Sequence, residues 1–373
     1  MKKYIYADNA ATTQLDVGAF EAMKPYLLEI YGNASQPYAF ARAGKKALKE
    51  ARTIIAKCIN AKPNEIYFTS GGTESDNWAI KGTYLSNLNK EIITSKIEHH
   101  AILNSVNFVK KIGGNVIYLE PNDKGVITKE ELKKYITDKT GLVSIMYGNN
   151  EIGTIQPIKE LTEVAHKQGC LFHTDAVQAV GHVNIDVKEL GIDMLSASAH
   201  KFNGPKGIGF LYLKEGVYID SYMDGGSQES SLRAGTENIA SIVGMAYALN
   251  KNCAELEKNK IHIINLENEL INIIKKAGIE FIRNGSERTL PGVISLSFKN
   301  QNGESLLHRL DLKGISVSTG SACDSVNTRI SHVLDSIKLD YEYAKGTIRI
   351  SLGKNNTIED VRTIANEIIR IVK

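Results

Sequence analysis

Apolar runs of strand length alternate with helix-like patterns through the first two thirds of the chain. Seven runs rich in Ile, Val, Phe and Tyr have the composition of strands buried on both faces of a sheet. They are Glu65–Thr69, Glu91–Ser95, Asn115–Leu119, Leu142–Tyr147, Leu171–Thr174, Met194–Ser198 and Gly209–Leu213. The stretches around them carry apolar residues at helical spacing, as residues 42–59 do. This alternation predicts an α/β protein with a mainly parallel, seven-stranded sheet covered by helices on both faces.

The pattern changes after Asn250. Residues 254–276 predict one long helix, and three shorter apolar runs follow it. These runs, which we expect to be strands, are Val293–Phe298, Ile315–Ser318 and Ile348–Ser351. We therefore expect a large domain over residues 14–250 and a smaller α+β domain built from residues 1–13 and 251–373.

Composition narrows the classes of protein that remain. The net charge of the 373 residues is only +3, so nothing favours nucleic acid as a direct ligand. No apolar run approaches the roughly 20 residues of a membrane helix, and Asp8 interrupts the N-terminus before any run of secretory length. Four cysteines lie far apart without a CxxC pair, which argues against a zinc site and a disulfide framework. We expect a cytoplasmic protein without a bound metal.

Residues with chemical potential follow the predicted strands, where open parallel sheets bind their ligands. Lys201 ends one strand and precedes a glycine-rich turn. Because a lysine in a partly dry site loses basicity, Lys201 is suited to form a Schiff base. Ser198 and His200 flank it and could bind a phosphate group. The alternative is a lysine that simply reaches solvent, and the neighbouring motifs disfavour it.

Asp175 follows another apolar strand. Its carboxylate could keep the pyridine nitrogen of pyridoxal 5'-phosphate (PLP) protonated, which makes that ring an electron sink. Gln178 could donate a hydrogen bond to the phenolic oxygen of the same ring. Taken alone, Asp175 is explained equally well as the N-cap of the next helix.

Three further motifs offer ligand-binding groups. Gly72 and Thr73 open a helix after a strand, which makes an anion site of backbone N–H groups, although a plain capped turn would use the same residues. His99 could stack on a planar ring and move protons near neutral pH, or pack at a strand edge. Asn150 could hydrogen-bond a cofactor or substrate, or form an Asx turn.

Two candidates lie in the C-terminal part of the chain. Cys323 sits among small and polar residues, where an ionised thiol can act as a nucleophile, and an incidental loop cysteine is the alternative. Arg349 alternates with apolar residues along a predicted strand. An inward-facing arginine needs a partner, which either a substrate carboxylate or a protein acid would supply.

In their order along the chain, these segments resemble the cysteine desulfurases, which are fold-type I PLP enzymes of the class-V aminotransferase group. The resemblance begins at Tyr6–Thr13, extends past Gly346–Gly353 and so covers nearly the whole chain. The loop Thr319-Gly320-Ser321-Ala322-Cys323 is similar to the family's Ser-Gly-Ser-Ala-Cys loop. Together with Ser331-His332-Val333-Leu334, it looks like the subgroup with the longer, mobile cysteine loop.

The resemblance implies roles for the candidate residues. Its catalytic residues would be Lys201, which carries PLP, His99 and Cys323. Its PLP-binding residues would be Gly72, Thr73, His99, Asn150, Asp175, Gln178, Ser198, His200, Lys201 and Thr236. Its substrate-binding residues would be Asn150 and Arg349. Thr236 would reach the phosphate bound by the neighbouring subunit, which implies a homodimer.

The implied reaction removes sulfur from L-cysteine and leaves L-alanine and a persulfide on Cys323. The persulfide would pass to a sulfur-acceptor protein, either a scaffold for iron–sulfur cluster assembly or a thiolation relay. Another PLP chemistry, such as transamination or selenocysteine lysis, and a non-catalytic scaffold with the same fold remain as alternatives.

Two segments depart from the family's pattern. Gly32-Asn33-Ala34-Ser35-Gln36 stands where members often have Gly-Asn-Pro-Ser-Ser. Gly225–Ser231 has serines where members often have a glycine, an arginine and a second glycine. The arginine and glycine that the second segment lacks would lie near the expected dimer and cofactor rim, so their loss bears on partner choice and rate more than on reaction type.

Overall fold

The structure of the protein is a computed structural model that describes residues 4–88, 90–319 and 330–373. Its strands are β1 (Ile5–Tyr6), β2 (Ile66–Thr69), β3 (Glu91–Ser95), β4 (Val116–Leu119), β5 (Thr140–Ser144), β6 (Leu171–Asp175), β7 (Met194–Ser198), β8 (Gly209–Leu213), β9 (Ile282–Arg283), β10 (Val293–Ser297), β11 (Ile315–Ser316) and β12 (Thr347–Ser351). Its helices are α1 (Val17–Leu28), α2 (Arg42–Cys58), α3 (Gly72–Ser86), α4 (His100–Lys111), α5 (Lys129–Tyr135), α6 (Ile158–Lys167), α7 (Ile239–Ala254), α8 (Leu256–Lys276), α9 (Gly303–Asp311), α10 (His332–Ser336), α11 (Tyr341–Ala344) and α12 (Ile358–Val372).

The central sheet has seven strands in the order β2-β8-β7-β6-β5-β3-β4. Parallel pairings join β7, β6, β5, β3 and β4. β8 pairs antiparallel with both of its neighbours, β2 and β7, so it runs against the other six strands. The predicted mainly parallel, seven-stranded sheet is confirmed.

Helices cover the sheet because each parallel pair needs a crossover connection. α2 buries Ala47, Leu48 and Ile55 on one face, in agreement with the stripe predicted over residues 42–59. α3 buries Trp78 completely against the sheet. In the part of the chain that the structure describes, no helix combines the length and the apolarity that crossing a membrane requires.

One strand ends earlier than its apolar run predicts. The run Leu142–Tyr147 predicted a strand to Tyr147, but β5 ends at Ser144. The last pairing between β3 and β5 joins Thr94 with Ser144. Beyond that point the backbone ladder continues on the β6 side, as in the bond from Ile145 N–H to the His173 carbonyl (3.1 Å), while Met146 N–H donates to the Glu98 side chain instead (3.0 Å).

A second apolar core lies in the C-terminal part of the chain. β12, β10 and β9 form an antiparallel sheet, and β1 pairs in parallel with β11. Ile5 and Ala7 pack in this core with buried residues between Ile263 and Ile371. Strand β1 therefore lies beside the C-terminal segments. The two-residue strand β9 was not predicted, since so short a run has no recognisable period.

Candidate active site

A cavity of about 400 Å³ opens where the parallel strands of the central sheet end. The loops after β2, β3, β5, β6 and β7 contribute to its wall, as expected for ligands at the carboxyl ends of strands. Ten of the residues predicted from the sequence line it: Gly72, Thr73, His99, Asn150, Asp175, Gln178, Ser198, His200, Lys201 and Arg349. The structure therefore brings residues from all these loops to one site.

One end of the cavity is suited to an anion. Gly71 has a φ of 152°, which only glycine adopts readily, and it turns the chain from β2 into α3. A Cβ atom on Gly72 would stand 2.4 Å from Cγ2 of Val177, so a side chain does not fit there. The first N–H groups of the 15-residue α3 have no partner within the helix, and the helix dipole favours negative charge beside them. Thr73 and Ser198 line the same end.

His200 lies beside this end in its neutral form. Its Nδ1 atom is 3.1 Å from the hydroxyl oxygen of Thr12. Burial, and then the positive charges of Lys201 and Lys206, lower the pKa of His200 to about 4. Near neutral pH the imidazole therefore contributes hydrogen bonds rather than a charge.

Asp175 is the last residue of β6, and its side chain is buried in the cavity wall. Its Oδ1 atom accepts a hydrogen bond from Val177 N–H (2.9 Å). The residues after Asp175 form turns, so the alternative of a helix N-cap does not apply. Burial raises the pKa of Asp175, while the hydrogen bond from Val177 N–H and the positive charge of Lys201 act in the opposite direction. A cationic ligand group beside it would stabilise the carboxylate.

His99 has a defined orientation at the start of α4. Its Nδ1 atom accepts a hydrogen bond from Ala101 N–H (3.1 Å), so the neutral ring carries its proton on Nε2. Burial is the main cause that lowers the pKa of His99. The residue therefore presents a neutral imidazole to the cavity, able to pack on a planar group or to exchange a proton at Nε2.

The structure adds Asp76, which the sequence reasoning missed. Asp76 lies on α3, lines the cavity and is buried. Ligand atoms of Asp76, His99 and Asp175 all lie within 4.8 Å of one another. Burial, and then the carboxylate of Asp175, raise the pKa of Asp76 well above its usual range. The available signal was its position one helical turn after Gly72 and Thr73, on the same face of α3.

A chain of buried hydrogen bonds continues behind Asp76. Ser196 hydrogen-bonds the Asp76 side chain and also lies 3.0 Å from Nε2 of His173. Nδ1 of His173 is 2.9 Å from the hydroxyl of Ser144. Burial lowers the pKa of His173 to about 3, so its ring is neutral. Oδ1 of Asp76 is a buried atom without a hydrogen-bond partner among the described residues, and it lies 3.8 Å from Nε2 of His173.

The N-terminal segment holds the amine of Lys201 in the site. Its Nζ atom donates to the carbonyl oxygens of Ala10 (2.7 Å) and Ala11 (2.8 Å). Gln178 Nε2 donates to the same Ala10 carbonyl (2.9 Å). A segment from the start of the chain therefore positions two of the predicted cofactor ligands.

Arg349 already has a protein partner. It extends from β12 into the cavity wall and is buried. One guanidinium nitrogen donates to Asp8 Oδ1 (2.7 Å) and another to the Asn150 carbonyl (2.9 Å). Nε of Arg349 has no hydrogen-bond partner among the described residues. Arg349 thus forms the ion pair with a protein acid that was one of the two alternatives from the sequence. It also faces the cavity.

The segment that contains Cys323 lies outside the described residues. The described residues on either side of it line the cavity: Ser318 and Thr319 before it, Ser331 and His332 after it. Ser331 donates a hydrogen bond from its hydroxyl to buried Glu151 (2.5 Å). Burial raises the pKa of Glu151 to about 7. The chain therefore leaves and re-enters the described structure at the edge of the cavity.

Thr236 is exposed and does not line the cavity of its own chain. It lies in the loop before α7, where Arg233 pairs with Glu74 of α3 (2.8 Å). The location fits a residue that would act on a neighbouring subunit, as the resemblance implies, and no contact with the described residues of this chain gives it another role at the site.

Comparison with known proteins places the chain in a family. A family model described as Aminotransferase class-V matches residues 5–364. A cysteine desulfurase IscS of Clostridium botulinum is 47% identical over 378 residues, which cover 100% of this chain and 95% of the relative. The chain belongs to the cysteine desulfurases, within the class-V aminotransferase family.

Solved structures agree with this membership. A NifS-like protein superimposes on this cysteine desulfurase with a TM-score of 0.93 at 38% identity, over 99% of both chains. A structure described as SspA in complex with cysteine has a TM-score of 0.85 at 36% identity and covers 95% of this chain and all of the other. The predicted fold and the predicted enzyme family are both confirmed.

Proposed function

We propose that this desulfurase binds PLP in the 400 Å³ cavity and that Lys201 is the residue that holds it covalently. One observation carries the proposal: the start of α3 at Gly72, the buried acid Asp175 and the amine of Lys201 surround a single cavity. These three groups match the three chemical features of the cofactor, which are its phosphate, its pyridine nitrogen and its aldehyde.

The other wall residues fit the same cofactor. A pyridinium would provide the cationic partner that the buried Asp175 carboxylate needs. The neutral ring of His99 would pack on the cofactor ring, and Gln178 would donate to the phenolic oxygen. Thr73, Ser198 and the neutral His200 would hold the phosphate. When bound, PLP supplies an electron sink that stabilises negative charge on the α-carbon of an amino acid.

We propose L-cysteine as the substrate. Arg349 would bind its carboxylate through the guanidinium group, whose Nε atom lacks a partner among the described residues, while the ion pair with Asp8 holds the arginine in place. Asn150 also lines the cavity, its carbonyl accepts a hydrogen bond from Arg349, and its side chain would bind the same amino acid. Nζ of Lys201 would then remove the α-proton, and His99, whose Nε2 carries the ring proton, would donate a proton in the later step.

Cys323 is proposed as the sulfur acceptor within the enzyme. Its thiolate would attack the sulfur of the substrate, so that an S–S bond forms while the C–S bond of the substrate breaks. The carbon skeleton takes up the electron pair and a proton and leaves as L-alanine, and Cys323 keeps the persulfide. Cys323 is four residues beyond Thr319, so the chain can carry it at most about 14 Å from the cavity edge.

The remaining parts of the proposal concern the surroundings of the enzyme. We place the protein in the cytoplasm, as a homodimer of chains that each contain a large domain (residues 14–250) and a small one (residues 1–13 and 251–373). The persulfide sulfur would pass to an acceptor protein, either an iron–sulfur scaffold or a thiolation relay. A sulfur atom on a thiol outside the cofactor is in a suitable form for such a transfer.

A substitution at position 323 tests the nucleophile. Cys323→Ala should keep the yellow cofactor but lose sulfide release from L-cysteine in the presence of a reductant, because no thiol receives the sulfur. Alanine formation and a persulfide mapped by mass spectrometry are the measurements, and Cys253→Ala, outside the cavity, is the matched control. Full activity of Cys323→Ala would refute the nucleophile assignment.

A second substitution tests the cofactor lysine. Lys201→Ala should lose the visible absorbance of the lysine-bound cofactor, since it removes the amine that the carbonyls of Ala10 and Ala11 hold at the cavity. Lys167→Ala, which changes an exposed lysine at the end of α6 that does not line this cavity, should keep the absorbance. An unchanged spectrum for Lys201→Ala would assign the cofactor to a different residue.

A further inference from the structure

Two thiols outside the active site lie beside each other at the ends of two packed helices. Cys58 is the last residue of α2, and Cys253 is the last but one residue of α7. Both are free cysteines, both are half-buried, and both pack against the core of the central sheet. The sequence reasoning attached no function to either residue, because 194 residues separate them along the chain.

The packing of the two helices brings these ends together. A Cβ atom on Gly44 of α2 would lie 2.9 Å from Cδ1 of Ile239 of α7, so the two helices touch near their N-terminal ends. Fourteen residues separate Gly44 from Cys58, and fourteen separate Ile239 from Cys253. At 1.5 Å per residue, each helix extends about 21 Å from that contact to its cysteine. Two neighbouring helices that run parallel therefore bring their cysteines to the same level. The thiol of Cys58 hydrogen-bonds with that of Cys253 at the far end.

The two thiols are chemically unequal. The hydrogen bond with Cys253, and then burial, raise the pKa of Cys58. The same hydrogen bond lowers the pKa of Cys253, because Cys58 donates its proton to the Cys253 sulfur. Cys253 is therefore the sulfur that ionises first, and the thiolate is the form that reacts with oxidants.

Cys170 provides the contrast. It is buried, its thiol donates to the Thr140 carbonyl (3.2 Å), and burial raises its pKa to about 11. Among the cysteines that the structure describes, Cys58 and Cys253 alone combine partial exposure with a neighbouring thiol. Their arrangement is that of a dithiol rather than of two independent core residues.

We propose that Cys58 and Cys253 are a redox-active pair that closes a reversible disulfide between α2 and α7 when the enzyme meets a peroxide. The Cys253 thiolate attacks one peroxide oxygen, the O–O bond breaks, and the departing oxygen takes a proton and leaves as water or an alcohol. The resulting sulfenic acid is attacked by the Cys58 sulfur, and the hydroxyl leaves with the Cys58 proton as a second molecule of water. Two thiols are oxidised by two electrons and one peroxide is reduced.

The cross-link would stabilise the folded protein. It joins α2 to α7 and closes a loop of nearly two hundred residues, which restricts the unfolded chain. α7 begins three residues after Thr236, so the link also fixes the helix that follows the loop expected at the subunit boundary. A reversible disulfide of this kind suits a reducing compartment, where disulfides form transiently in response to oxidants.

The test uses the holoenzyme with Cys323→Ser, so that the loop thiol does not compete for peroxide. After hydrogen peroxide treatment, peptide mapping without reductant should find one peptide pair linked through Cys58 and Cys253. The protein should lose two hydrogen atoms in mass and two titratable thiols, and its melting temperature should rise by several degrees. Dithiothreitol should reverse all of these changes.

Matched variants separate the proposed order of steps from general oxidation. Cys58→Ser should leave a sulfenic acid on Cys253 that dimedone traps, Cys253→Ser should give no trapped sulfenic acid at position 58, and Cys170→Ser should still form the link. The proposal is overturned if the linked peptide is absent from peroxide-treated protein, or if either thiol is instead oxidised alone to a sulfinic acid. That result needs no variant at positions 58 or 253, so a folding defect in one leaves the test intact.

Discussion

Two buried carboxyl groups, Asp76 and Asp175, face the cavity within 4.8 Å of each other, and their protonation states must differ. Two like charges at this distance in a dry wall are strongly unfavourable, so one group stays neutral. Asp175 has the backbone hydrogen bond from Val177 and the nearby positive charge of Lys201, which favour its anion. Burial and the charge of Asp175 both disfavour the anion of Asp76, so we infer that Asp76 is the protonated acid.

Amide substitutions at the two positions should therefore have opposite outcomes. Asp76→Asn keeps a neutral group of the same size and should retain PLP, whereas Asp175→Asn removes the anion and should lose it. Asp76→Leu should weaken PLP retention about tenfold or more, since an unsatisfied buried polar partner costs about 1–3 kcal/mol. The measurements are cofactor content after gel filtration and the absorbance spectrum of the retained cofactor as a function of pH.

Two controls accompany the Asp76 and Asp175 variants. If Asp76→Asn loses as much cofactor as Asp175→Asn, then Asp76 is needed as an anion and the assignment is wrong. Because the ligand atoms of Asp76, His99 and Asp175 are also close enough for a metal ion, the wild-type enzyme is treated with EDTA in parallel. The expectation of no metal requires that EDTA leave the spectrum and the activity unchanged.

At the scale of elements, the segment Gly225–Ser231 combines a strong anchor with an unfavourable backbone. Glu229 receives two hydrogen bonds from the Arg52 guanidinium (2.8 and 2.6 Å) and one from Phe68 N–H (2.8 Å). Glu229, Ser230 and Ser231 have φ values of 46°, 58° and 65°, in the left-handed region that favours glycine. Ser231 stands where members of the family often have glycine, so here the anchor holds a serine in a costly conformation.

Ser231→Gly should consequently stabilise the protein. A left-handed conformation costs an L-residue about 1–2 kcal/mol, and glycine avoids that cost. Glycine also increases the conformational freedom of the unfolded chain, which offsets part of the gain. We expect the free energy of unfolding to rise by up to about 1 kcal/mol in denaturant titration. Ser227→Gly is the matched control, since Ser227 has a φ of −83° and gains nothing from glycine. Equal or opposite effects of the two variants would contradict this assignment of backbone strain to Ser231.

At the scale of the whole molecule, the exposed apolar surface and the position of Thr236 both suit a contact between subunits. Large apolar side chains are exposed along α1, in the segment after it and on α7: Phe20, Leu27, Leu28, Tyr31, Phe40 and Tyr247. α1 packs directly on α7, since a Cβ atom on Gly18 would meet the ring of Tyr247. An apolar surface of this kind is typical of an interface between subunits, and α7 follows the exposed loop of Thr236.

A mixed dimer would test whether each site takes Thr236 from the other subunit. Lys201→Ala alone should be inactive, and Thr236→Ala alone should bind PLP weakly. Dimers that contain one chain of each variant should regain one intact site, with Lys201 from one chain and Thr236 from the other. Activity and cofactor absorbance of the mixture, at limiting PLP, should therefore exceed those of either variant. No gain after verified subunit exchange would contradict the role of Thr236 in the site of the neighbouring subunit.

Several features of this desulfurase were readable from its sequence because they depend on local pattern. Strands buried on both faces have continuous apolar runs, so the runs at Glu91–Ser95 and Met194–Ser198 matched β3 and β7 residue for residue. Parallel strands end at one edge of their sheet, so Asp175, Lys201 and His99 could be expected to meet without any knowledge of the strand order.

Other features were decided only by the tertiary structure, because they join residues whose separation no periodic pattern encodes. The ion pair of Arg349 with Asp8 spans 341 positions and arises because the segment around Asp8 pairs with Ser351 at the end of β12. Asp76 lies beside Asp175 because α3 packs over β6, and Cys58 lies beside Cys253 because α2 packs beside α7. A sequence reports which side chains leave water; the packing of the elements that carry them determines which of those side chains touch.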